Sequence, residues 1–464
     1  MNYDNLFAKA GKTKIRAGLI GIGTYGISLM TQARFIPRLE IPVVCDQDPK
    51  TARLACLRAG LSKENTTVCS NIQEILLAME KGQYAIAENY ELLMDVPLDV
   101  VVECTGNPEA GARHAELAIK HGKHVAMVNK EADAVVGPML SRLADKAGVT
   151  YTPVDGDQHG LLIGLVSWAG SLGLEVVCSG KARPYDFVYD ENTGKVTNGL
   201  DIVSLSREEK KALLKIQPGE SGIVIEKRRK FLLELPQIAE ADLCESVIVA
   251  NATGLIPDLP SMHAPIVRIT EIADVLSRKE DGGILKNRGV IDLVTCLRRK
   301  DEAGLGGGVF LVFSFRKDDA WELVKDKGLL TNHRGTCGVV YRPYHLLGVE
   351  TPISILCAGL LNLSTGSLSY KPRADLIGKA KKDLKAGSSL QFDREKSGDL
   401  FEHLIVPFAP IDKDSPIPFY MALGNQLKAN VPAGSILTWG MIKEPENSRL
   451  WELRRQQDQA FEIK

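Results

Sequence analysis

Net charge is almost absent from this chain: 57 Lys and Arg stand against 58 Asp and Glu, leaving -1 over 464 residues. No global field therefore recruits nucleic acid or an anionic membrane surface. No Cys-x-x-Cys occurs, so a zinc signature is missing. The nine cysteines, Cys45, Cys56, Cys69, Cys104, Cys178, Cys244, Cys296, Cys337 and Cys357, are odd in number and too widely spaced for a disulfide framework. Most lie in apolar runs such as Val43-Val44-Cys45 and Val176-Val177-Cys178, where cysteine acts as a small buried hydrophobe. That usage fits a reducing compartment. No apolar run has the length of a bilayer span, and Met1 to Lys14 is too polar for a signal peptide. A cytoplasmic protein with no nucleic-acid or membrane partner is expected. The one basic run, Lys227-Arg228-Arg229-Lys230, reads as a solvated face.

What is present is ample core material. Hydrophobic residues make up 44% and charged residues 25%, the profile of a globular protein of two to four domains. Lys14 to Ile20 reads as a buried strand. It runs into Gly21-Ile22-Gly23-Thr24-Tyr25-Gly26, after which Ile27, Met30 and Ala33 fall at helical spacing until Pro37. Ile41 to Cys45 is the next apolar run, with Asp46 at its end.

Each part of this unit has a physical task. Gly21 permits a tight turn, Gly23 lets backbone approach a pyrophosphate, and Gly26 lets helix and strand pack closely. The free N–H groups of the helix's first turn hold phosphates. Asp46, 20 residues after Gly26, is placed to accept hydrogen bonds from ribose hydroxyls. A Rossmann dinucleotide-binding domain over residues 1–155 follows, with NAD or NADP as cofactor and a slight preference for NAD. Gly21, Gly23, Thr24, Tyr25, Gly26 and Asp46 are its expected contacts.

The alternation continues through strands Asp99 to Cys104, His124 to Val128 and Val149 to Val154. Strand ends at the carboxyl edge of such a sheet line the ligand crevice. Thr105, Gly106 and Asn129 are therefore expected near the nicotinamide, and Lys130 near the reacting carbonyl. His114, His121 and His124 are close in sequence but split between a helix and a strand, so no metal site is expected there.

Asp155-Gly156-Asp157-Gln158-His159-Gly160 is a polar loop between apolar segments, where substrate chemistry is usually placed. Leu174 to Ser179 reads as a strand reaching Lys181, and Asp242 to Asn251 as a helix carrying Glu245. Lys130 and Lys181 are candidates to stabilise or protonate a developing oxyanion. Asp157 and Glu245 would orient the substrate or the lysine. Asp155, Gln158, Asn251, Thr253, Arg342 and His345 complete the expected substrate contacts. Tyr189 to Glu240 is polar and irregular, and is expected to be an insertion or lid.

Several strings resemble a known family, the homoserine dehydrogenase-like oxidoreductases with a C-terminal SAF domain. They are Glu103-Cys104-Thr105-Gly106-Asn107-Pro108-Glu109-Ala110-Gly111, His124 to Asp133, Gly156-Asp157-Gln158, Asn251-Ala252-Thr253-Gly254 and Tyr341-Arg342-Pro343-Tyr344-His345. Two further phrases, Ala380 to Gly387 and Asn430 to Trp439, look like the SAF signature. The resemblance implies an α/β fold: an N-terminal Rossmann domain, an α+β middle domain over 156–370, a small β-rich SAF-like domain over 371–445 and a charged tail over 446–464. Asn129-Lys130 matches the asparagine-lysine pair of homoserine dehydrogenases. Their later aspartate and lysine motif has no counterpart, and Ile238-Ala239-Glu240-Ala241 stands where members carry Asp-Gly-Thr-Lys.

The implied function is NAD(P)-dependent hydride transfer to or from a small hydroxy-carbonyl compound, in an enzyme expected to be a homo-oligomer. Within the group, an enzyme similar to 1-deoxy-D-xylulose 5-phosphate reductoisomerase is the alternative. Only that reading needs a divalent metal, with Asp155, Asp157 and Glu245 as carboxylates; the sequence by itself names no ligand set. A dinucleotide-sensing or carbohydrate-binding protein is the rival from another class.

Overall fold

The computed structural model describes residues 2–237, 243–315, 319–367, 369–391 and 398–461, so the Ile238-Ala239-Glu240-Ala241 departure lies outside the described residues. The chain divides into two compact units, one of residues 1–160, 346–393 and 408–464, the other of 161–345 and 394–407.

The first unit is built on a seven-stranded sheet. Its strands are β1 (Ile15–Ile20), β2 (Leu39–Cys45), β3 (Thr66–Cys69), β4 (Tyr84–Ala87), β5 (Val100–Glu103), β6 (His124–Met127) and β7 (Tyr151–Pro153). They lie in the order β3-β4-β2-β1-β5-β6-β7 and all pair in parallel. Order reverses at β1, so the crevice beyond the carboxyl ends of β1 and its neighbours is the topological switch point of a doubly wound sheet. β5 is buried along its whole length and β1 at all but Arg16, which is why they read as apolar runs.

Helix Thr351–Leu361 was expected to belong to the middle domain. Instead it packs against β1, β5, β6 and β7, and its Ile355, Leu356 and Cys357 enter the core of the first unit. Gly348 explains the tight approach of the segment before it, since a Cβ there would stand 2.9 Å from the Tyr25 carbonyl oxygen. The stretch read as SAF-like belongs to the same unit except for residues 394–407, which fall in the second. It holds together by isolated bridges between its two halves, including Ile377 with Pro418, Lys379 with Ile436 and Leu384 with Val431.

The expected charged tail contains an ordered helix, Arg449–Ala460, with Leu450, Trp451, Leu453, Arg454 and Gln457 buried. Its charges are consumed internally. Arg454 makes a bidentate pair with Asp375 (2.7 and 2.7 Å) beneath the Phe408 ring, and Arg449 grips both Glu116 oxygens at 2.6 Å. Ser448 caps this helix at Trp451 N–H and donates to Glu109. Ser448→Ala is expected to cost about 1–2 kcal/mol in urea unfolding; an unchanged midpoint would show the cap to be idle.

The second unit carries a nine-stranded mixed sheet: β8 (Glu175–Ala182), β9 (Phe187–Asp190), β10 (Lys195–Asn198), β11 (Asp201–Ser204), β12 (Ile266–Val267), β13 (Val290–Arg299), β14 (Val309–Ser314), β15 (Leu330–Thr331) and β16 (Cys337–Arg342). The order is β11-β10-β9-β13-β8-β14-β16-β15, with β12 on β13. The expectation of an irregular insertion over 189–240 is therefore corrected. Strands β9 to β11 extend the sheet, and Phe187, Tyr189, Val196, Val203, Leu213 and Leu232 form a core of their own. The basic run is corrected in part as well. Arg228 is completely buried, chelated by Glu271 (2.6 and 3.0 Å) and by the carbonyls of Ala212, Leu214 and Ile266.

Candidate functional site

The three glycines of the first turn have three different neighbourhoods. Gly21 has φ +86°, and a Cβ there would lie 2.8 Å from Cys104 carbonyl carbon and Thr105 nitrogen. At Gly26 a Cβ would stand 2.8 Å from the Gly21 carbonyl oxygen. Around Gly23, by contrast, a Cβ would meet nothing within 4 Å. Two glycines are therefore required by the protein's own packing, while the third faces open space. Gly23 is also the N-cap of helix Thr24–Ala33, and no side chain caps that helix. Its first-turn N–H groups are left for an anion.

Asp46 sits at the end of β2 and holds the turn: its Oδ2 accepts the Ile22 N–H at 3.0 Å. Gly21, Gly23 and Asp46 line a cleft of about 800 Å³ together with Gln47, Glu88 to Tyr90, Thr105, Asn107, Glu109, Arg113 and His114. Arg53 does not reach toward Asp46, since its Nη2 donates to the Thr66 carbonyl.

On the β5 side, Glu103 is fully buried and organises the next loop. Its Oε1 accepts the Thr105 hydroxyl (2.6 Å), the Thr105 N–H (3.3 Å) and lies 3.1 Å from His114 Nδ1. Asn129 then locks this loop to the next helix. Its Nδ2 donates to Thr105 Oγ1 (3.2 Å) and the Asn107 carbonyl (2.8 Å), while its Oδ1 accepts Ala132 N–H (3.1 Å). Asn129 is 1% exposed, so its amide positions Thr105. Gly106 makes the turn in the left-handed region, φ +66°. Lys130 follows as the first residue of helix Lys130–Ala147 and is half-buried.

The Asp155–Gly160 loop meets the first glycine turn within this unit. The Tyr25 hydroxyl is 2.5 Å from Thr351 Oγ1 and 3.3 Å from the Asp155 carbonyl, so its phenol is engaged by protein. Ser354 receives the Asp155 N–H at 2.8 Å. Asp157 and Gln158 are buried beside it, with the Gln158 N–H on Asp157 Oδ1 at 2.8 Å.

Lys181, Glu245, Asn251, Thr253, Arg342 and His345 all fall in the second unit. Lys181 Nζ is 2.5 Å from Glu245 Oε2, and both are buried. Sixty-four residues separate them in sequence, and the fold makes them an ion pair. Thr253 spends its hydroxyl on the end of its own helix, donating to Val249 carbonyl (2.7 Å) and accepting Leu255 N–H. His345 Nδ1 lies 2.6 Å from the Gly307 carbonyl, a packing corner for the aromatic patch. Asn251 is buried in mid-helix, and Arg342 ends β16 half-buried.

Three arrangements had escaped sequence reasoning. One is the Glu103–His114 contact. Another is Asp133, fully buried with the hydroxyls of Tyr151 and Tyr370 on one oxygen. The third is His263, whose Nδ1 is 3.0 Å from buried Asp292. Asp292 also accepts the His263 and Ala264 N–H groups, pinning a loop in which Met262 (φ 58°) and Ala264 (φ 44°) are left-handed without being glycine. Only spatial proximity reveals these groups, and no local spacing signals it.

His114, His121 and His124 go separate ways: His121 to the Leu117 carbonyl, His124 to the Thr150 N–H, His114 to Glu103. Among the described residues, no group of three or more His, Cys, Asp or Glu side chains is arranged to hold a metal ion. Nor is any helix long and apolar enough to cross a membrane.

Residues 17–153 match the family model of the homoserine dehydrogenase NAD-binding domain, and 240–351 match the oxidoreductase DRL catalytic domain. Both matched models describe domains of oxidoreductases. Among curated proteins, this chain is 25% identical over 183 residues to 1-deoxy-D-xylulose 5-phosphate reductoisomerase of Cereibacter sphaeroides, covering 39% of this chain and 41% of the relative. The same enzyme of Chlorobium chlorochromatii is 31% identical over 88 residues, 19% of this chain and 23% of that one. The chain thus spans about two-fifths or less of the length of these relatives. Similar solved structures include biliverdin reductase from Synechocystis (17% identity, TM-score 0.25, 39% of this chain and 49% of that one). Zymomonas mobilis 1-deoxy-D-xylulose 5-phosphate reductoisomerase with NADPH is another (18%, TM-score 0.27, 37% and 46%).

Proposed function

We propose that this oxidoreductase catalyses reversible hydride transfer between a nicotinamide dinucleotide and the carbonyl carbon of a small hydroxy-carbonyl compound. The observation that carries the reading is the first glycine turn. Gly23 faces open space at a cleft of about 800 Å³, and the helix that it begins has no side-chain cap. Gly21, Gly23, Thr24 and Gly26 hold the pyrophosphate, Asp46 the adenosine ribose, and Thr105 and Gly106 the nicotinamide end, with Asn129 fixing Thr105. Tyr25 acts by tying that helix to the Asp155 loop.

Nicotinamide supplies the hydride chemistry when bound. The protein's share is charge and orientation. As negative charge grows on the substrate oxygen, Lys130 stabilises it or donates the proton. Asp157, Gln158 and Asp155 orient substrate hydroxyls beside it. The buried Lys181–Glu245 pair, with Asn251 and Arg342, supports the second unit's part in substrate recognition. All nine cysteines are free and eight are buried, which supports placement in the cytoplasm; a homo-oligomer is the proposed assembly.

Cofactor choice follows from charge. The cleft is lined by Asp46, Glu88 and Glu109 against one arginine. An extra 2′-phosphate meets net repulsion there, so NADH is expected to bind about tenfold more tightly than NADPH. Asp46→Asn keeps the acceptor for Ile22 and removes the charge, and should narrow that gap severalfold. Fluorescence titration of both reduced cofactors measures it. Equal affinities in the unmodified chain would refute the electrostatic account.

The test of function is loss of reduced-nicotinamide absorbance with aspartate semialdehyde and other small aldehydes. A second reading is favoured by the curated relatives, which are reductoisomerases. Turnover of 1-deoxy-D-xylulose 5-phosphate with a divalent cation, and none with simple aldehydes, would put that reading first.

A further inference from the structure

Sixteen residues line the dinucleotide cleft, and Arg113 is the one lysine or arginine among them. It stands on helix Pro108–Lys120, nearly two turns beyond the Asn107 cap, and its side chain is 44% exposed. Its guanidinium is held on two sides. Nε donates to Glu109 Oε1 at 2.7 Å, and Nη2 donates to the Asn447 carbonyl. Asn447 is itself unusual, a non-glycine residue in the left-handed region with φ 55°.

The segment that follows is tied to the same carboxylate. Ser448 Oγ donates to Glu109 Oε2 at 2.6 Å, and the N–H groups of Arg449 and Leu450 reach Glu109 at 2.8 and 3.2 Å. Arg449 clamps Glu116, about two turns beyond Glu109 on the cleft helix. Burial raises the Glu109 carboxyl, but Ser448, these two amides and Arg113 outweigh it, so the group stays below the usual range and ionised. The start of the C-terminal helix is thus joined to the wall of the cleft. Three carboxylates and one arginine is an arrangement that makes the arginine decisive for an anionic ligand.

We propose that Arg113 is the residue that neutralises a phosphate of the bound dinucleotide, and that Asn447 to Arg449 position it. The proposal rests on reading this cleft as the dinucleotide site. Arg113 supplies two or more N–H donors to a phosphate oxygen while Glu109 and the Asn447 carbonyl fix the plane of its fork. Held this way, it loses little side-chain freedom on binding.

Fluorescence titration of NADH, and competition by ADP-ribose, test this without turnover. Arg113→Gln should weaken both ligands about tenfold or more, since the charge-assisted hydrogen bonds to the phosphate are lost. The salt dependence of binding should flatten with it. Arg113→Lys keeps the charge without the fork and should fall between. Arg449→Gln, which loosens the positioning segment, should weaken NADH severalfold in the unmodified background and have no further effect on Arg113→Gln. Thermal unfolding of each variant without ligand checks that the fold persists. Arg113→Gln binding NADH and ADP-ribose as tightly as the unmodified chain would overturn the proposal, as would full additivity with Arg449→Gln for the positioning role. If the unmodified chain binds neither ligand, the reading of the cleft fails first and the proposal falls with it.

Discussion

Lys130→Met is expected to lower turnover at least about a hundredfold while leaving the melting temperature nearly unchanged. Lys181→Met should do the reverse at first sight, losing stability whatever it does to rate. Lys130 opens helix Lys130–Ala147. A cation at a helix N-terminus works against the macrodipole, so helix stability does not account for this lysine. It is half-buried and follows Asn129, the residue that fixes Thr105 at the cleft. Lys181 is 1% exposed on a strand flanked by β13 and β14, with Glu245 at 2.5 Å. Removing one partner leaves a buried charge uncompensated, which costs about 3–5 kcal/mol. Replacing both partners by apolar residues is often close to neutral. Lys181→Met combined with Glu245→Leu should therefore recover most of the stability. Steady-state rates and urea unfolding of the three variants separate the roles. A folded double variant with normal rate leaves Lys181 a structural residue. A folded, inactive double variant beside an active Lys130→Met would transfer the acid to Lys181.

The glycine turn and its flanking strands were legible because their geometry is local. The strand, Gly21-Ile22-Gly23-Thr24-Tyr25-Gly26 and Asp46 lie within one short unit, and each glycine answers to a steric need that a turn imposes wherever it occurs. β3 and β4 were missed because strands of four residues carrying Thr and Tyr give no periodic signal. Strands β9 to β11 were missed for a related reason. Asp190, Lys195, Asn198 and Asp201 stand at their ends, and the polar residues hide one buried side chain in two.

Long-range pairings had no sequence signal at all. Nothing in Thr351–Leu361 says that its apolar face covers the first sheet rather than the second. Nothing in Arg449 and Arg454 says that Glu116 and Asp375 are waiting for them. A charged C-terminal stretch looks like a tail until its partners are known. The same holds at the candidate site. Glu245 was expected to orient the substrate or a lysine, and only the packing of strand and helix identifies that lysine as Lys181.

Asp133 leads to the second large effect, in stability rather than rate. Its carboxyl is fully buried one turn after Lys130, with Tyr151 and Tyr370 hydroxyls on Oδ1 at 2.7 and 2.8 Å. Its Oδ2 has no hydrogen-bond partner among the described residues. Gly137 makes the room, because a Cβ there would collide with Oδ1 and stand 2.9 Å from the Tyr370 hydroxyl. Burial pushes this carboxyl up to about 7, although the two hydroxyls pull it back. Below about pH 4 both folded and unfolded chains hold the proton, and the group contributes no pH slope. Between about 4 and 7 the folded chain keeps a proton that the unfolded chain releases. Stability therefore falls by roughly 1.4 kcal/mol per pH unit, to a total on the order of 4 kcal/mol, and is level above 7. Carboxylates such as Glu40, Glu116 and Glu271 are held below the usual range and act oppositely, losing stability as pH drops. The diagnostic quantity is thus the difference between the unmodified chain and Asp133→Asn. The asparagine oxygen can still accept both tyrosines, at the cost of one buried amide of about 1–3 kcal/mol. Urea unfolding should find the unmodified chain more stable than Asp133→Asn near pH 5, with that margin shrinking or reversing near pH 8. A margin that stays constant over this range would mean that Asp133 is ionised in the folded protein, with a cation or water supplying what Oδ2 lacks.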